Sequence, residues 1–372
     1  MIIGIPKEIK TEEYRVALLP EGVKLLTRAG HRVILQKNAG KESGFFDWQY
    51  RAGGAKISNS PKEIWQADLI LKVKEPQPQE YKFLKENQIL FTFLHLAAFP
   101  QLIQVLKEKK VCAIDFATVE KDKKLPILQP MSEISGRLAI QIGAHFLEKK
   151  QGGEGILISG LYPIPPALVL ILGGGTVGRA AAKTALSLGA RVVLLEKNLN
   201  KIRALKKEFK NKVLILPSSL KNLKKILPKV DLLVGAVLIP GKKAPKLIKK
   251  EMVKKMKKGA VIVDVSIDQG GCSEFSRPTT HQNPVFEKFG VLHYCVPNIP
   301  GIIPRTSTQA LSKAVFPYLF ELCNLGFKKA VLKNQALARG VNVYRGKITN
   351  FALAQSLNQK FFPLKKLLDK SD

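Results

Sequence analysis

The sequence predicts an α/β protein built on mostly parallel, helix-covered sheets. Three observations carry this. Short apolar runs alternate with helical stretches through residues 1–130, a second series of the same kind starts at residue 168, and a glycine turn links two apolar runs at its head. At 372 residues the chain is long for a single core, and roughly two domains is the ordinary expectation.

In chain order, Ile2–Ile5, Val33–Gln36, Leu69–Val73, Ile89–Phe93 and Val111–Ile114 have the length and apolar character of buried strands. Pro20–Ala29, Gln79–Lys85 and Gln101–Lys109 read as helices between them. Gln129-Pro130 is the expected first boundary, with Ser132 placed to cap a helix running to Lys149. Residues 151–167, rich in Gly and Pro, read as loop. The second series then gives strands Leu168–Leu172, Arg191–Leu195, Lys212–Leu216, Val230–Gly235 and Ala260–Val265. Helices Thr176–Leu188, Asn198–Phe209 and Ser219–Leu227 fall among them. Residues 272–289 read as irregular, and Val291–Tyr294 as a further strand. Ser307 to Leu325 is helical with an interruption expected at Pro317, and the basic tail 326–372 is too short for a third domain, so it should pack back on the first.

The stretch 168–196 is the most informative. After the apolar run Leu168–Leu172, Gly173, Gly175 and Gly178 fall in G-x-G-x-x-G spacing. The first serves a tight turn, the second admits a pyrophosphate against bare backbone, and the third lets helix and strand pack closely. Thr176 and Val177 begin the helix whose N–H groups face that phosphate site. Glu196 ends the next strand, 21 residues after Gly175, where an acid suits the ribose 2′-hydroxyl of an adenine dinucleotide. The alternative is a glycine turn in an ordinary βαβ unit.

Composition excludes several classes. An apolar fraction of 45% with 24% charged residues is globular. The N-terminus meets charge at Lys7 and has no signal-peptide core, and no apolar run approaches the ~20 residues of a membrane span. Cys112, Cys272, Cys295 and Cys323 lie far apart without a C-x-x-C pair, which points to reduced thiols in a cytoplasm and to no structural metal. The formal charge of +32 raises a nucleic-acid or anionic-surface partner, but the lysines are spread along the chain without aromatic interleaving or a recognised nucleic-acid module. The reading is a lysine-rich solvated surface whose positive field attracts anionic cofactor and carboxylate substrate.

Ligands of open α/β sheets bind beyond the carboxyl ends of the strands. That rule selects Arg15, in the loop after the first strand, and Lys74, His95 and Asp268, at or just past strand ends. Singly, each has an ordinary structural reading: a surface charge, a strand-end solubiliser, an interior histidine, a turn former before Gly270-Gly271. Together they suit an α-keto or α-amino acid, with Arg and Lys for carboxylate and carbonyl oxygen and His for proton transfer.

On these residues the chain resembles the alanine dehydrogenase family. The similarity is carried by EEYRVALLP, LKVKEPQP, FTFLHLA, MSEISGRLAIQIGA, ILGGGTVGRAAAK, LLVGAVLIPGKKAPKLI, VIVDVSIDQGGC, RPTTHQNPVF and PNIPGIIPRTSTQAL, in order from Ile3 to about Gly346. The resemblance implies two Rossmann-like domains with parallel sheets: a central NAD-binding domain, 131–301, inserted in a discontinuous substrate domain made of 1–130 and 302–372. It implies reversible NAD-dependent deamination of L-alanine to pyruvate and ammonia by a homo-oligomer, a hexamer; it is composition that argues against a membrane or a specific nucleic-acid partner. Arg15 and Lys74 would bind substrate, His95 would give and take the proton at the pyruvate oxygen or the attacking water, and Asp268 would be the second catalytic group. Cofactor contacts would fall on Ser132, Gly173, Gly175, Thr176, Val177, Gly178, Glu196, Lys201, Ser218 and Asn298.

Two departures bear on this. The family usually has Asp where Glu196 stands; the longer acid still repels a 2′-phosphate, although Lys197 and Arg203 leave room for NADP. Pro297 stands where a small residue usually precedes the asparagine. The nearest rival is the NAD-binding component of the proton-translocating transhydrogenase, against which the DQGG run and His95 count. A basic nucleic-acid-binding protein on the same scaffold has only the charge in its favour.

Overall fold

The computed structural model describes residues 1–237 and 244–369. The chain divides into two compact units, one of Met1–Met131 with Gly301–Asp372 and the other of Ser132–Pro300. Among the described residues the strands are β1 (Ile2–Ile5), β2 (Arg32–Gln36), β3 (Lys56–Ser58), β4 (Leu69–Leu71), β5 (Ile89–Thr92), β6 (Cys112–Asp115), β7 (Leu168–Leu172), β8 (Arg191–Glu196), β9 (Leu214–Pro217), β10 (Leu232–Gly235), β11 (Val261–Asp264), β12 (Val285–Lys288), β13 (Val291–Tyr294), β14 (Val341–Tyr344) and β15 (Lys347–Ile348).

The first unit holds an eight-stranded sheet in the order β15-β14-β6-β5-β4-β1-β2-β3. Strands β1 to β6 are parallel, and β14 pairs antiparallel with β6, so the C-terminal tail completes this sheet. The second unit holds seven strands in the order β12-β13-β11-β10-β7-β8-β9, parallel except for β12. In both sheets the chain order runs outward from the first strand, then jumps back across it, which makes both units Rossmann-like. Parallel strands are buried on both faces, hence the continuous apolar runs: Leu69, Ile70, Leu71 and Val169 to Ile171 are wholly buried.

Several elements differ from the expectation. The helix after β6 spans Leu128–Phe146, so Ser132 lies inside it and does not cap it. Pro130 is tolerated because it occupies the first turn, where backbone N–H groups have no intrahelical partner. Pro317 does not interrupt the C-terminal helix Pro304–Lys333; the non-helical residue is Gly326, at φ 70°. Leu69–Val73 forms a strand only as far as Leu71, and 78–83 is 3₁₀ rather than α-helix. The short helices Asp47–Ala52 and Pro61–Trp65, with β3 between them, and strand β12 are additions to the sequence reading. Part of the LLVGAVLIPGKKAPKLI motif, residues 238–243, lies outside the described residues.

Candidate active site

In the first unit three of the sequence-selected groups leave the carboxyl ends of adjacent strands. Arg15 is in the loop after β1, Lys74 follows β4 and His95 follows β5, and these strands lie side by side in the order β5-β4-β1. Arg15 is buried, and its guanidinium is forked onto Glu13, Nε to Oε1 at 2.7 Å and Nη2 to Oε2 at 2.5 Å. Nη1 lies 3.3 Å from the Met131 sulfur. Burial alone would raise the Glu13 carboxyl, but the Arg15 charge and hydrogen bonds, helped by Lys74, hold it at about 2. One edge of the arginine is thus spent on orientation by a carboxylate that the sequence reading passed over. An acid two residues before the arginine, in EEYR, was its only signal.

Lys74 is also buried, and the backbone it projects from is pinned by an ionic triad. Lys72 Nζ, inaccessible to solvent, lies 2.9 Å from Glu80 Oε1 and 3.2 Å from Glu8 Oε2, while Glu8 Oε1 accepts the Val73 N–H at 2.7 Å. Burial pushes the Glu8 carboxyl up to about 7, against the pull of Lys72. The Thr92 hydroxyl donates to the Lys74 carbonyl at 2.9 Å, tying the end of β5 to the same segment.

His95 adopts a left-handed backbone, φ 48° and ψ 37°, and its ring stacks on Phe93 with centroids 5.9 Å apart and planes 8° from parallel. Desolvation, and then the charges of Lys74, Lys10 and Arg15, hold its pKa below the ordinary histidine value. His95 is exposed, and the three cations around its imidazole all oppose the imidazolium. The resting imidazole is therefore neutral near pH 7 and set to accept a proton. Lys10 itself is paired with Glu75 at 2.5 Å.

The second unit carries the remaining candidates. Gly173 turns at φ 100°, its N–H donating to the Leu195 carbonyl at 2.8 Å. A Cβ on Gly178 would lie 1.8 Å from the Gly173 oxygen, so the close packing expected of the third glycine is present. A Cβ on Gly175 would meet nothing within 4 Å, and the helix Thr176–Ser187 that follows has no side-chain cap. Open space against bare backbone at an uncapped helix N-terminus fits a pyrophosphate. Glu196 ends β8, buried, with Oε2 accepting the Gly174 N–H and Oε1 the Asn198 N–H, both at 2.9 Å. The acid is therefore locked to the glycine turn. Ser218 donates its N–H to the Glu196 carbonyl at 2.9 Å, whereas Lys201 is exposed in the following helix. Thr176 is exposed, Val177 and Ser132 are half-buried, and Gly136, one turn on from Ser132, packs so tightly that a Cβ would come 2.2 Å from the Val177 oxygen.

Asp268 is exposed in the 3₁₀ turn Val265–Gln269 after β11, and Asn298, half-buried at φ 61°, follows β13. The loop bearing Asp268 is organised by Asp264, fully buried, which accepts from the Ser266 N–H at 3.1 Å, the Cys272 N–H at 2.7 Å and the Ser276 hydroxyl at 2.5 Å. All four cysteines are buried and free.

Two family models match this chain, the alanine dehydrogenase/PNT N-terminal domain over residues 4–135 and the C-terminal domain over 139–351. The chain belongs to the alanine dehydrogenase/PNT family. It is 50% identical to an alanine dehydrogenase of Methanococcus maripaludis, covering all of both chains, and 48% identical to that of Bacillus subtilis over 99% of this chain and 98% of the relative. A solved L-alanine dehydrogenase structure superposes with a TM-score of 0.92 at 45% identity, covering 96% of this chain and 99% of the other. A transhydrogenase from Sinorhizobium meliloti shares the fold, TM-score 0.80, at 22% identity. Membership in this family makes the chain an oxidoreductase that uses a nicotinamide cofactor.

Proposed function

We propose that this chain catalyses the reversible, NAD-dependent oxidative deamination of L-alanine to pyruvate and ammonia. The observation that supports it best is the grouping of Arg15, Lys74 and His95 at the ends of three adjacent strands, in a family whose curated relatives are alanine dehydrogenases. Arg15 is the partner of the substrate carboxylate, and Lys74 binds the substrate alongside it. A guanidinium already fixed by Glu13 loses little freedom on meeting a second carboxylate, so binding is preorganised.

When bound, NAD supplies the hydride acceptor for the alanine Cα. Gly173, Gly175, Gly178 and the N–H groups of Thr176 and Val177 hold its pyrophosphate in this reading, and Glu196 takes the ribose hydroxyls. Loss of hydride from Cα leaves an imine; His95 accepts the proton of the water that adds to the imine carbon, and returns a proton to the pyruvate oxygen in the reverse direction. Its neutral resting state suits the first of these roles. A substrate carboxylate beside Arg15 and Lys74 offsets the cations that hold the imidazole pKa down, so substrate binding itself makes His95 easier to protonate. Asp268 is taken as the second catalytic group, with Ser132, Lys201, Ser218 and Asn298 as further cofactor contacts. A homo-hexamer, which the family resemblance implies, and a cytoplasmic location, which four cysteines without a C-x-x-C pair favour, belong to the same reading; no described helix is long and apolar enough to cross a membrane.

The reading of His95 is tested by His95→Ala. Turnover of alanine with NAD, and of pyruvate and ammonium with NADH, should fall at least ~100-fold while NADH binding by fluorescence stays within about twofold. An active variant refutes the assigned role.

A further inference from the structure

His95 is held in a conformation that an L-residue other than glycine adopts at a cost of about 1–2 kcal/mol. Something must hold it there, and the sequence around it, FTFLHLA, contains no side chain suited to the task. The neighbouring strand supplies one. Thr92 of β5 pairs with Asp115 of β6, so the Asp115 carboxylate stands at the strand ends beside the turn that carries His95. Its Oδ1 accepts the Leu94 N–H at 3.3 Å and the Ala117 N–H at 2.8 Å, and the His95 backbone adds a third hydrogen bond. Its Oδ2 faces the Asn342 amide of β14 at 3.4 Å, and Asn342 in turn accepts from the Thr118 hydroxyl at 3.0 Å. The side chain is almost wholly buried.

We infer that Asp115 is a positioning residue of the active site: its carboxylate fixes the left-handed turn at Leu94–His95 and thereby the place of the imidazole. The inference rests on the reading of His95 as the proton-transfer group. Phe93 completes the arrangement. Its ring stacks on His95 and meets Phe116, the residue after Asp115, edge-on at 5.1 Å, so backbone and ring are both anchored to the end of β6. Burial pushes the Asp115 carboxyl up to about 6, the backbone hydrogen bonds opposing this. The cost of burying this carboxyl is offset by the backbone N–H groups it satisfies, and those groups belong to the turn that carries His95.

The orienting role uses an acceptor oxygen at one place and does not use the charge. The test therefore compares Asp115→Asn, which keeps that oxygen, with Asp115→Ala, which removes it, and Asp115→Glu, which keeps the charge and displaces the oxygen by a methylene. Steady-state kinetics in both directions are expected to show Asp115→Asn within about threefold of the parent. Asp115→Ala and Asp115→Glu should lose about 30- to 100-fold in kcat, with the KM for NAD and the affinity for NADH nearly unchanged. Introduced into His95→Ala, Asp115→Ala should cost nothing further, because the group it orients is gone. Full activity of Asp115→Ala, equal impairment of Asp115→Asn and Asp115→Ala, or a loss that adds in full to that of His95→Ala each overturns the inference. If Asp115→Ala does not fold, Asp115→Glu alone decides against Asp115→Asn. Failure of the His95 reading is separately visible, as an active His95→Ala enzyme.

Discussion

Two glycines of one turn should respond in opposite ways to the same substitution. In Gly178→Ala the new Cβ would sit 1.8 Å from the Gly173 oxygen, about 1.6 Å inside the distance at which ordinary contact begins. The obstruction is backbone, so the helix Thr176–Ser187 or the turn itself has to move. Overpacking of this kind costs about 1–3 kcal/mol, and a shift of that size pulls the N-terminal N–H groups off a bound pyrophosphate. In Gly175→Ala the Cβ meets nothing within 4 Å, and at φ −74° and ψ −168° the backbone is extended and open to any residue. Stability should stay within about 0.5 kcal/mol. Yet the methyl group occupies the space that the reading assigns to the pyrophosphate. Thermal unfolding with and without NADH, together with fluorescence titration of NADH, separates the two effects. Gly178→Ala should melt lower without ligand and bind NADH about 100-fold more weakly, whereas Gly175→Ala should melt like the parent and lose a comparable share of affinity. A Gly175→Ala protein that binds NADH like the parent would refute the placement of the phosphates, and a Gly178→Ala protein as stable as the parent would refute the packing role.

Further outcomes follow from the same geometry. Glu13→Gln strips the charge that matches Arg15, and a carboxyl held at about 2 against 4.5 for the free group corresponds to roughly 3 kcal/mol at pH 7. Because the folded-state pKa is the lower one, that stability is present above pH 4.5 and is lost as pH falls toward 2. The deficit of Glu13→Gln in urea unfolding should shrink to about 2 kcal/mol at pH 3.5, and a deficit that grows on acidification contradicts the assignment. Glu196→Gln keeps an acceptor for the Gly174 N–H but removes the charge that repels a 2′-phosphate. The ratio of kcat/KM for NADP over NAD should rise about tenfold, and an unchanged ratio removes Glu196 from cofactor selection.

Much of the fold was legible because its strands are buried on both faces and therefore read as unbroken apolar runs, as in Leu168–Leu172 and Ile89–Thr92. Motifs at strand ends were legible for a related reason: the parallel sheet sends Arg15, Lys74 and His95 to one edge whatever the detail of the loops. What escaped depends on contacts between distant segments. Asp115 stands one residue past the expected strand Val111–Ile114, and only the pairing of β5 with β6 brings it beside Leu94 and His95. The Lys72–Glu8–Glu80 triad joins residues 64 and 8 positions apart, and no local pattern announces that a lysine in LKVK is wholly buried. Ser132 misled for the opposite reason. It is a good capping residue in a good capping context, but the helix had already begun at Leu128 because Pro130 suits a first turn as well as it suits a boundary.

In the proposed reaction hydride leaves the Cα of alanine for the nicotinamide, with substrate held by Arg15 and Lys74 and protons managed by His95. The decisive experiment supplies L-alanine deuterated at Cα with NAD at alkaline pH. NADH and pyruvate should accumulate in equal amounts, and the reduced nicotinamide should carry the deuterium. No turnover in either direction from a protein that binds NADH would contradict the proposed reaction, as would reduced cofactor that carries no label.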